Sequence, residues 1–468
     1  MASSTVSDYT ALESHASRGE RRTLIHVDLD AFYCAVEEKR DPSLRGQAFA
    51  VGGRANERGV VASCSYAARA RGVHSAMSMA AAQRLCAHLL VIEPRHDEYR
   101  AASRQVMDLL RAFTPLLEQL SIDEAFLDVS PNISEQVGGR ALALQIQEKI
   151  ERELGLSSSM GVASNKMVAK IATDCGKAAV ETTHSPRAIC VVPRGQEASF
   201  LSPLPVTALW GVGPKTAQRL QDLGISSIGA LALWPERDLA RRFGKHGFEL
   251  SQHARGIDRR EIVTERESKS ISSETTFASD ADDWEVLHAQ LCQEARHVAL
   301  QLQKQELQAA TIKLKLRWSD FSIATRQTTL FSPTAAREVI EGAATLLLSQ
   351  LWQGHRPVRL LGVGASGLSV ARQLGLFDAP SEVSSATETS DSATQLAADE
   401  IKKDEVKTED CEAQSREIKA PEASEKKHSI SAPRDEEKQQ HLQEAITHLE
   451  ARFGARVVQA AAQMQEKT

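Results

Sequence analysis

The chain has 468 residues, of which 42% are hydrophobic and 25% charged, with a formal net charge of −6. This length exceeds a single core and predicts three or four domains plus extensions, and no apolar run approaches the ~18 residues of a membrane span. Positions 1–20 are polar without a signal-peptide apolar stretch, so a cytoplasmic protein is expected. Cys34, Cys64, Cys86, Cys175, Cys190, Cys292 and Cys411 show no CxxC spacing, which argues against a zinc site and a disulfide framework. Charge is unevenly distributed: from Ser381 onward about 19 acidic and about 12 basic residues give the tail about −7 and leave the rest about +1.

Residues 1–21 read as a flexible lead-in. Ile25 and Val27 then alternate with His26 and Asp28, the pattern of a strand with one core face and one acidic face. Continuing that strand through Phe32 and Tyr33 turns adjacent side chains opposite ways, with Phe32 toward the core. About ninety residues on, Leu120 and Ile122 alternate with Ser121 and Asp123, and Glu124 comes next. Two such strands side by side gather Asp28, Asp123 and Glu124. An isolated acidic pair is more often a strand-end ion pair with Arg or Lys. Three carboxylates together repel one another, and hard divalent cations with oxygen ligands are the usual solution. Two Mg²⁺ held in this way can activate a 3′-hydroxyl and clamp a triphosphate for in-line displacement.

Apolar residues at three- and four-residue spacing predict helices over 97–113 and 138–154. Gly211-Val212-Gly213 precedes Pro214 and the helical set Ala217, Leu220 and Leu223. A glycine turn before a helix exposes backbone N–H groups to a phosphate, with Lys215 beside it, and suits a helix-hairpin-helix that holds a DNA backbone without reading bases. It is not a P-loop, since GxxxxGK[ST] is absent. Residues 256–268 are charged and aperiodic and read as a tether. Beyond them, strand patterns at 312–318 and 358–366 alternate with helical patterns at 284–304 and 335–352, which predicts a four-stranded sheet backed by two helices. Lys313, Lys315 and Arg317 share one face of the first of these strands; such a row either binds phosphates or solubilises an edge strand. From 381 to about 435 the chain is too poor in large apolar residues to offset ordering entropy, and disorder is expected. Leu442, Ile446, Leu449, Phe453 and Val457 then fall at helical spacing, with Gly454 a possible break.

The strings IHVDLDAFYCAVEE (25–38), RGVVASCSYAARARGV (58–73), SIDEAFLDVS (121–130) and MGVASNKMVAKIATDCGK (160–177) occur in that order. Together they resemble the Y-family of DNA polymerases, in particular its bacterial translesion enzymes. The likeness continues through LWGVGPKTAQRLQDLGI (209–225) and ESKSISSETTF (267–277) to about residue 377. It implies an α+β right-hand polymerase with a ferredoxin-like palm (22–31 and 96–184), small fingers (32–95) and a helix-hairpin-helix thumb (185–255). A linker (256–269), an α/β little finger (270–371), a clamp-binding peptide (372–378), a disordered linker (379–435) and a terminal amphipathic helix (436–468) complete the implied order.

The resemblance also assigns roles. Asp28, Asp123 and Glu124 fall on the metal-binding acids, with the carbonyl of Leu29 as an additional ligand, and two Mg²⁺ are implied. Tyr33 falls on the steric gate that meets a ribonucleotide 2′-hydroxyl. Tyr66 and Arg69 fall on the pair that contacts the β- and γ-phosphates, and Lys177 on another triphosphate contact, although Ala178 stands where the family commonly has proline. Gly211, Gly213, Lys215, Lys313, Lys315 and Arg317 fall in DNA-gripping domains. Gln373-Leu374-Gly375-Leu376-Phe377 resembles the peptide by which bacterial polymerases bind the sliding clamp: Gln373 supplies an amide, while Leu374, Leu376 and Phe377 are apolar, the last two as anchors. Small residues at Ala62, Ser63, Cys64, Ser65, Ala76 and Ser78 imply a roomy pocket. The implied enzyme is a monomeric, nucleoid-associated, template-directed DNA polymerase. It adds dNTPs to a primer 3′ end at low fidelity without proofreading and works in the DNA damage response. A palm-type nucleotidyl cyclase and a catalytically inactive clamp or repair scaffold are the alternatives.

Overall fold

The computed structural model describes residues 22–134, 138–180, 184–354 and 356–370, and the backbone alone of 458–460. The lead-in, the clamp-like peptide, the 381–435 segment and almost all of the terminal helix expected at 436–468 lie outside the described residues.

Strand β1 (Leu24–Leu29) is buried almost throughout. It does not continue into Phe32 and Tyr33 as the alternation suggested. Ala31 adopts a left-handed conformation (φ 44°), and Phe32 and Tyr33 open helix α1 (Phe32–Arg40). Successive helical side chains diverge by about 100°, so Phe32 still points to the core while Tyr33 stays partly open. A small sheet comes next, built from β2 (Phe49–Gly52), β3 (Val61–Cys64) and β4 (Leu90–Ile92) in the order β3-β2-β4. The short helices α2 (Tyr66–Arg69) and α3 (Met79–Leu85) fill its connections, each capped by a serine hydroxyl, Ser65 and Ser78.

Helix α4 (His96–Arg111), strands β5 (Leu117–Gln119) and β6 (Glu124–Asp128), helix α5 (Gly139–Leu154), strand β7 (Ser158–Ala163), helix α6 (Lys166–Ala178) and strand β8 (Ala188–Val191) build the central sheet. Its order is β13-β8-β7-β1-β6-β5, where β13 (Val458–Ala460) pairs antiparallel with β8. These three residues are therefore extended rather than helical, because they meet the open edge of a sheet. One sheet face packs Ile25, Val27, Leu29 and Leu127 with α4 and α5; on the other, Phe126 packs with Met167, Val168 and Ile171 of α6. β1 thus lies between two apolar layers, and its polar face is roofed by a helix instead of open to water.

The expected strand through Asp123 is a bend. Ser121 Oγ accepts from the N–H groups of Asp123 (3.3 Å) and Glu124 (3.1 Å), so a side chain takes the place of the ladder and the chain reverses between β5 and β6.

Helices α7 (Glu197–Leu201), α8 (Pro214–Gln221), α9 (Ile228–Leu233), α10 (Glu236–Phe243) and α11 (Lys245–Ala254) share the core beneath α6. The 256–268 segment is not a free tether. Asp258 accepts from the N–H of Met167 at the start of α6 (3.1 Å). Glu118, 1% exposed, accepts from Lys166 (2.7 Å), from the N–H of Val263 (2.9 Å) and from Arg266. The last sheet is the expected one: β9 (Ser270–Ala281), β10 (Leu307–Trp318), β11 (Ile323–Thr334) and β12 (Val358–Val370), in the order β11-β10-β12-β9. It is backed by α12 (Trp284–Lys304) and α13 (Arg337–Leu351). Among the described residues no helix is long and apolar enough to cross a membrane.

Gly161 on β7 lets α6 approach closely: a Cβ there would stand 1.9 Å from the Ala169 carbonyl oxygen and 2.6 Å from the Thr173 nitrogen. Gly161→Ala is therefore expected to destabilise the protein by about 1–3 kcal/mol, since backbone and not a flexible side chain must move. Thermal unfolding checks it; an unchanged Tm would mean that α6 is not seated on β7.

Candidate active site

Asp28 and Glu124 are register partners on β1 and β6, and the Leu29 N–H donates to the Asp123 carbonyl at 3.0 Å. The antiparallel pairing and the β5–β6 bend thus bring the three predicted acids to one end of the sheet. Asp28, Leu29 and Asp123 line a cavity of about 380 Å³ together with Tyr33, Arg69 and Lys177. Of the small residues expected around it, Ala62 and Ser63 line it, as does Ser75. Cys64 and Ser65 are buried and do not, nor do Ala76 and Ser78. Glu124 and Tyr66 also lie outside the lining. A larger cleft of about 640 Å³, bordered by Arg22, Asp128, Arg194 and Asp258, contains none of the predicted site residues.

Helix α6 sets two cations against the acids, the predicted Lys177 and one that the sequence did not reveal, Lys170. Lys170 Nζ lies 2.9 Å from both Glu124 oxygens, and Lys177 Nζ bonds Asp28 Oδ1 at 2.5 Å and stands 3.5 Å from Asp30. His26, on the same face of β1 as Asp28, bonds Thr173 of α6 through Nδ1 (2.9 Å) and stands with Nε2 3.8 Å from Glu124. His26 and Lys170 hold the Glu124 carboxyl at about 2, against burial, while burial lowers the pKa of His26 itself. Burial also raises Asp123, with Asp28 and Glu124 adding repulsion. Burial lowers the pKa of Lys177, but Asp28 and Asp30 outweigh it and the net direction is up. Asp30 is fully buried, accepts from Ser159 Oγ (2.8 Å) and from the Arg187 N–H (3.3 Å), and is raised by burial. It braces the end of β1 and does not reach the cavity. A signal for the lysines was available: Lys166, Lys170, Asp174 and Lys177 recur at four-, four- and three-residue spacing, one polar row on an otherwise apolar helix.

Three carboxylates and the Leu29 carbonyl, all hard oxygen donors at neighbouring backbone positions, have the chemistry for a divalent cation. As the side chains stand, Lys177 and Lys170 occupy Asp28 and Glu124, and among the described residues no three acidic, histidine or cysteine groups converge on one point. An ion there must displace ammonium groups already paired with its ligands.

Around the cavity, Arg69 lies over the Tyr66 ring (4.8 Å) and donates from Nε to the Cys64 carbonyl (3.2 Å). The Tyr66 hydroxyl is buried without a hydrogen-bond partner, and burial raises its pKa. Tyr33 stacks on Tyr99 of α4 with centroids 4.2 Å apart.

The other predicted contacts lie elsewhere. Gly211 takes φ 96°, Gly213 caps α8, and Lys215 is exposed in its first turn, where N–H groups have no intrahelical partner. On β10, Lys313, Lys315 and Arg317 alternate with buried Ile312, Leu314 and Leu316 as expected. Lys313 and Lys315 border a shallow trough floored by Gly362 and Gly364 of β12, across which Lys315 bonds Glu274 of β9 at 2.7 Å. Gln373, Leu374, Leu376 and Phe377 lie outside the described residues.

A six-stranded palm-like sheet with acids at one end, a helical segment and a separate four-stranded sheet define a right-hand nucleotidyltransferase. The impB/mucB/samB family profile matches residues 27–174, its C-terminal domain residues 268–376, and the IMS family HHH motif residues 194–225. Similar curated proteins include a DNA polymerase IV of Halorhodospira halophila, 42% identical over 76% of this chain and 99% of that protein. A DNA polymerase IV of Listeria innocua is 40% identical over 74% of this chain and 95% of that protein. Among solved structures, a Y-family DNA polymerase chimera matches with a TM-score of 0.65 at 25% identity, over 74% of this chain and 99% of the other. The chain belongs to the impB/mucB/samB family of Y-family DNA polymerases.

The Glu124 carboxyl, held down by His26 first and by Lys170 after it, has a pH signature. A carboxyl held at about 2 in the folded chain, against an ordinary 4.5, contributes stability that is present above the unfolded pKa and lost as pH falls through the folded one. Lys170→Met is expected to lower Tm near neutral pH, with the gap to the parent closing between about pH 4.5 and about pH 2. A gap independent of pH would reduce Lys170 to a packing role.

Proposed function

We infer that the protein is a template-directed DNA polymerase that adds deoxynucleotides to a primer 3′ end and synthesises across damaged templates. The observation that carries this reading is the cavity in which Asp28 and Asp123 meet Tyr33, Arg69 and Lys177, within a chain that belongs to the Y-family. Primer-template DNA and dNTPs are its substrates and a divalent metal its cofactor. Primer extension over a panel of intact and damaged templates tests the reading. Failure to extend any primer would favour a scaffold, and cyclisation of a nucleoside triphosphate without DNA would favour a cyclase.

Within that reading, Asp28, Asp123, Glu124 and the Leu29 carbonyl hold two Mg²⁺, which supply activation of the 3′-hydroxyl and charge neutralisation at the triphosphate. Lys177, released from Asp28, and the Arg69 fork bind phosphate oxygens, and the unpartnered Tyr66 hydroxyl supports this as a donor in reserve. Tyr33 stands where a deoxyribose lacks, and a ribose carries, a hydroxyl. Gly211, Gly213 and Lys215 hold duplex phosphates from the thumb (185–255), and Lys313, Lys315 and Arg317 do so from the little finger (270–371). The palm comprises 22–31 and 96–184, and the fingers 32–95. Gln373, Leu374, Leu376 and Phe377 tether a monomeric enzyme to a sliding clamp, and its working location is the bacterial cytoplasm at the nucleoid.

Asp28→Ala, Asp123→Ala and Glu124→Ala should each lower nucleotide addition at least about a thousandfold, the rate equivalent of ~4 kcal/mol, with primer-template affinity largely kept. Single-turnover extension and a DNA-binding titration measure the two quantities; near-parental turnover in any one removes that acid from the metal set.

Joint replacement of Gln373, Leu376 and Phe377 by Ala should leave single-nucleotide addition intact and remove stimulation by a loaded clamp, because a tether raises effective concentration without touching chemistry. Product length with and without clamp is the readout, and equal stimulation of variant and parent would make the peptide structural.

A further inference from the structure

Tyr33 and Glu37 stand one turn apart on α1 and so share one of its faces. That face meets α4 at Tyr99, whose side chain is fully buried. The Tyr33 ring stacks on Tyr99 with centroids 4.2 Å apart and planes at 14°, and His96, one turn earlier on α4, meets Tyr33 edge-on at 6.2 Å. Tyr99 donates its hydroxyl to Glu37 Oε1 at 2.6 Å, and Arg95 donates to Oε2. Glu37 is 1% exposed, and a carboxylate buried so deeply needs both donors.

We propose that Glu37 is a positioning residue for sugar selection: with Arg95 it pins the Tyr99 hydroxyl, fixing the ring against which Tyr33 stands and so setting how firmly Tyr33 resists a 2′-hydroxyl. This rests on the reading of Tyr33 as the gate. A clash excludes a ribonucleotide only by the free energy needed to move the obstructing ring. An unsupported aromatic swings aside by a rotamer change, whereas one stacked on a buried, hydrogen-bonded ring must drag close-packed neighbours with it. A deoxynucleotide makes no such demand, so the support governs selectivity more than rate.

Tyr99→Phe removes the hydroxyl and keeps the ring, and Glu37→Gln keeps the shape and removes the charge. Each is expected to lower the ratio of deoxy- to ribonucleotide kcat/KM about tenfold, the equivalent of ~1.4 kcal/mol. Deoxynucleotide kcat/KM should change by less than about threefold. Tyr33→Ala should lower the ratio further, and in that background Tyr99→Phe and Glu37→Gln should add nothing, because they act through the missing ring. An unchanged ratio in the single variants, with parental Tm, overturns the proposal. Equal falls with and without the Tyr33 ring overturn it too. If Glu37→Gln fails to fold, Tyr99→Phe carries the test alone. An unchanged ratio in Tyr33→Ala overturns the gate assignment itself, and with it this inference.

Discussion

Crowded negative charge at one end of the central sheet is the constraint on which the rest of the structure depends. Asp28 and Glu124 face each other across a strand pair, Asp123 sits at the adjacent bend, and Asp30 is buried just beyond. Repulsion of that kind must be offset. In this chain a single helix does so, α6, through Lys170 and Lys177. The helix reaches the acids because Gly161 removes the side chain that would hold it away from β7. A backbone detail on one strand therefore governs electrostatics on two others.

The same helix ties the central sheet to the segment that leads into the last one. Its first turn is capped by Asn165 and receives Asp258 from that segment, while Lys166 and Arg266 converge on buried Glu118. Breaking a buried ion pair by removing one partner costs about 3–5 kcal/mol, so the segment is anchored where its composition suggested a loose tether. Arg58 in the small second sheet's connection and Asp280 at the end of β9 form a further ion pair (2.7 Å) between sheets distant in sequence. Charged contacts of two kinds thus tie the last sheet to the rest of the chain: those of Lys166 and Arg266 with buried Glu118, which salt screens little, and the more exposed Arg58–Asp280 pair, which it screens more.

Ammonium groups on Asp28 and Glu124 also bear on how substrate and cations enter. Each lysine offsets part of the charge of the acid it pairs with. Lys177 stands at the cavity wall and can meet an anion that enters there under the function proposed above, whereas Lys170, on Glu124 and outside the cavity lining, has no such opening. The two lysines, equivalent by sequence spacing, are thus separated in role by where the cavity lies.

Sequence alone determined the acids, the Tyr33, Arg69 and Lys177 positions, the four-stranded last sheet with its two helices, and the Lys313, Lys315 and Arg317 row. These come from short-range periodicity and from ordered motifs. It misjudged the backbone at Phe32, Tyr33 and Asp123 though not where their side chains go, because a left-handed Ala31 and a Ser121 side-chain turn end strands that alternation alone would continue. Tertiary structure decided what period and motif cannot express. Lys170, His26 and Asp30 matter only because α6 lies across β1, Glu37 only because α1 meets α4 at Tyr99, and the 256–268 segment is fixed only because Glu118 is buried and takes its donors from that segment and α6. Each of these depends on contacts between residues far apart in the chain, whose energies are set by burial and distance and leave no local signature in the order of the amino acids.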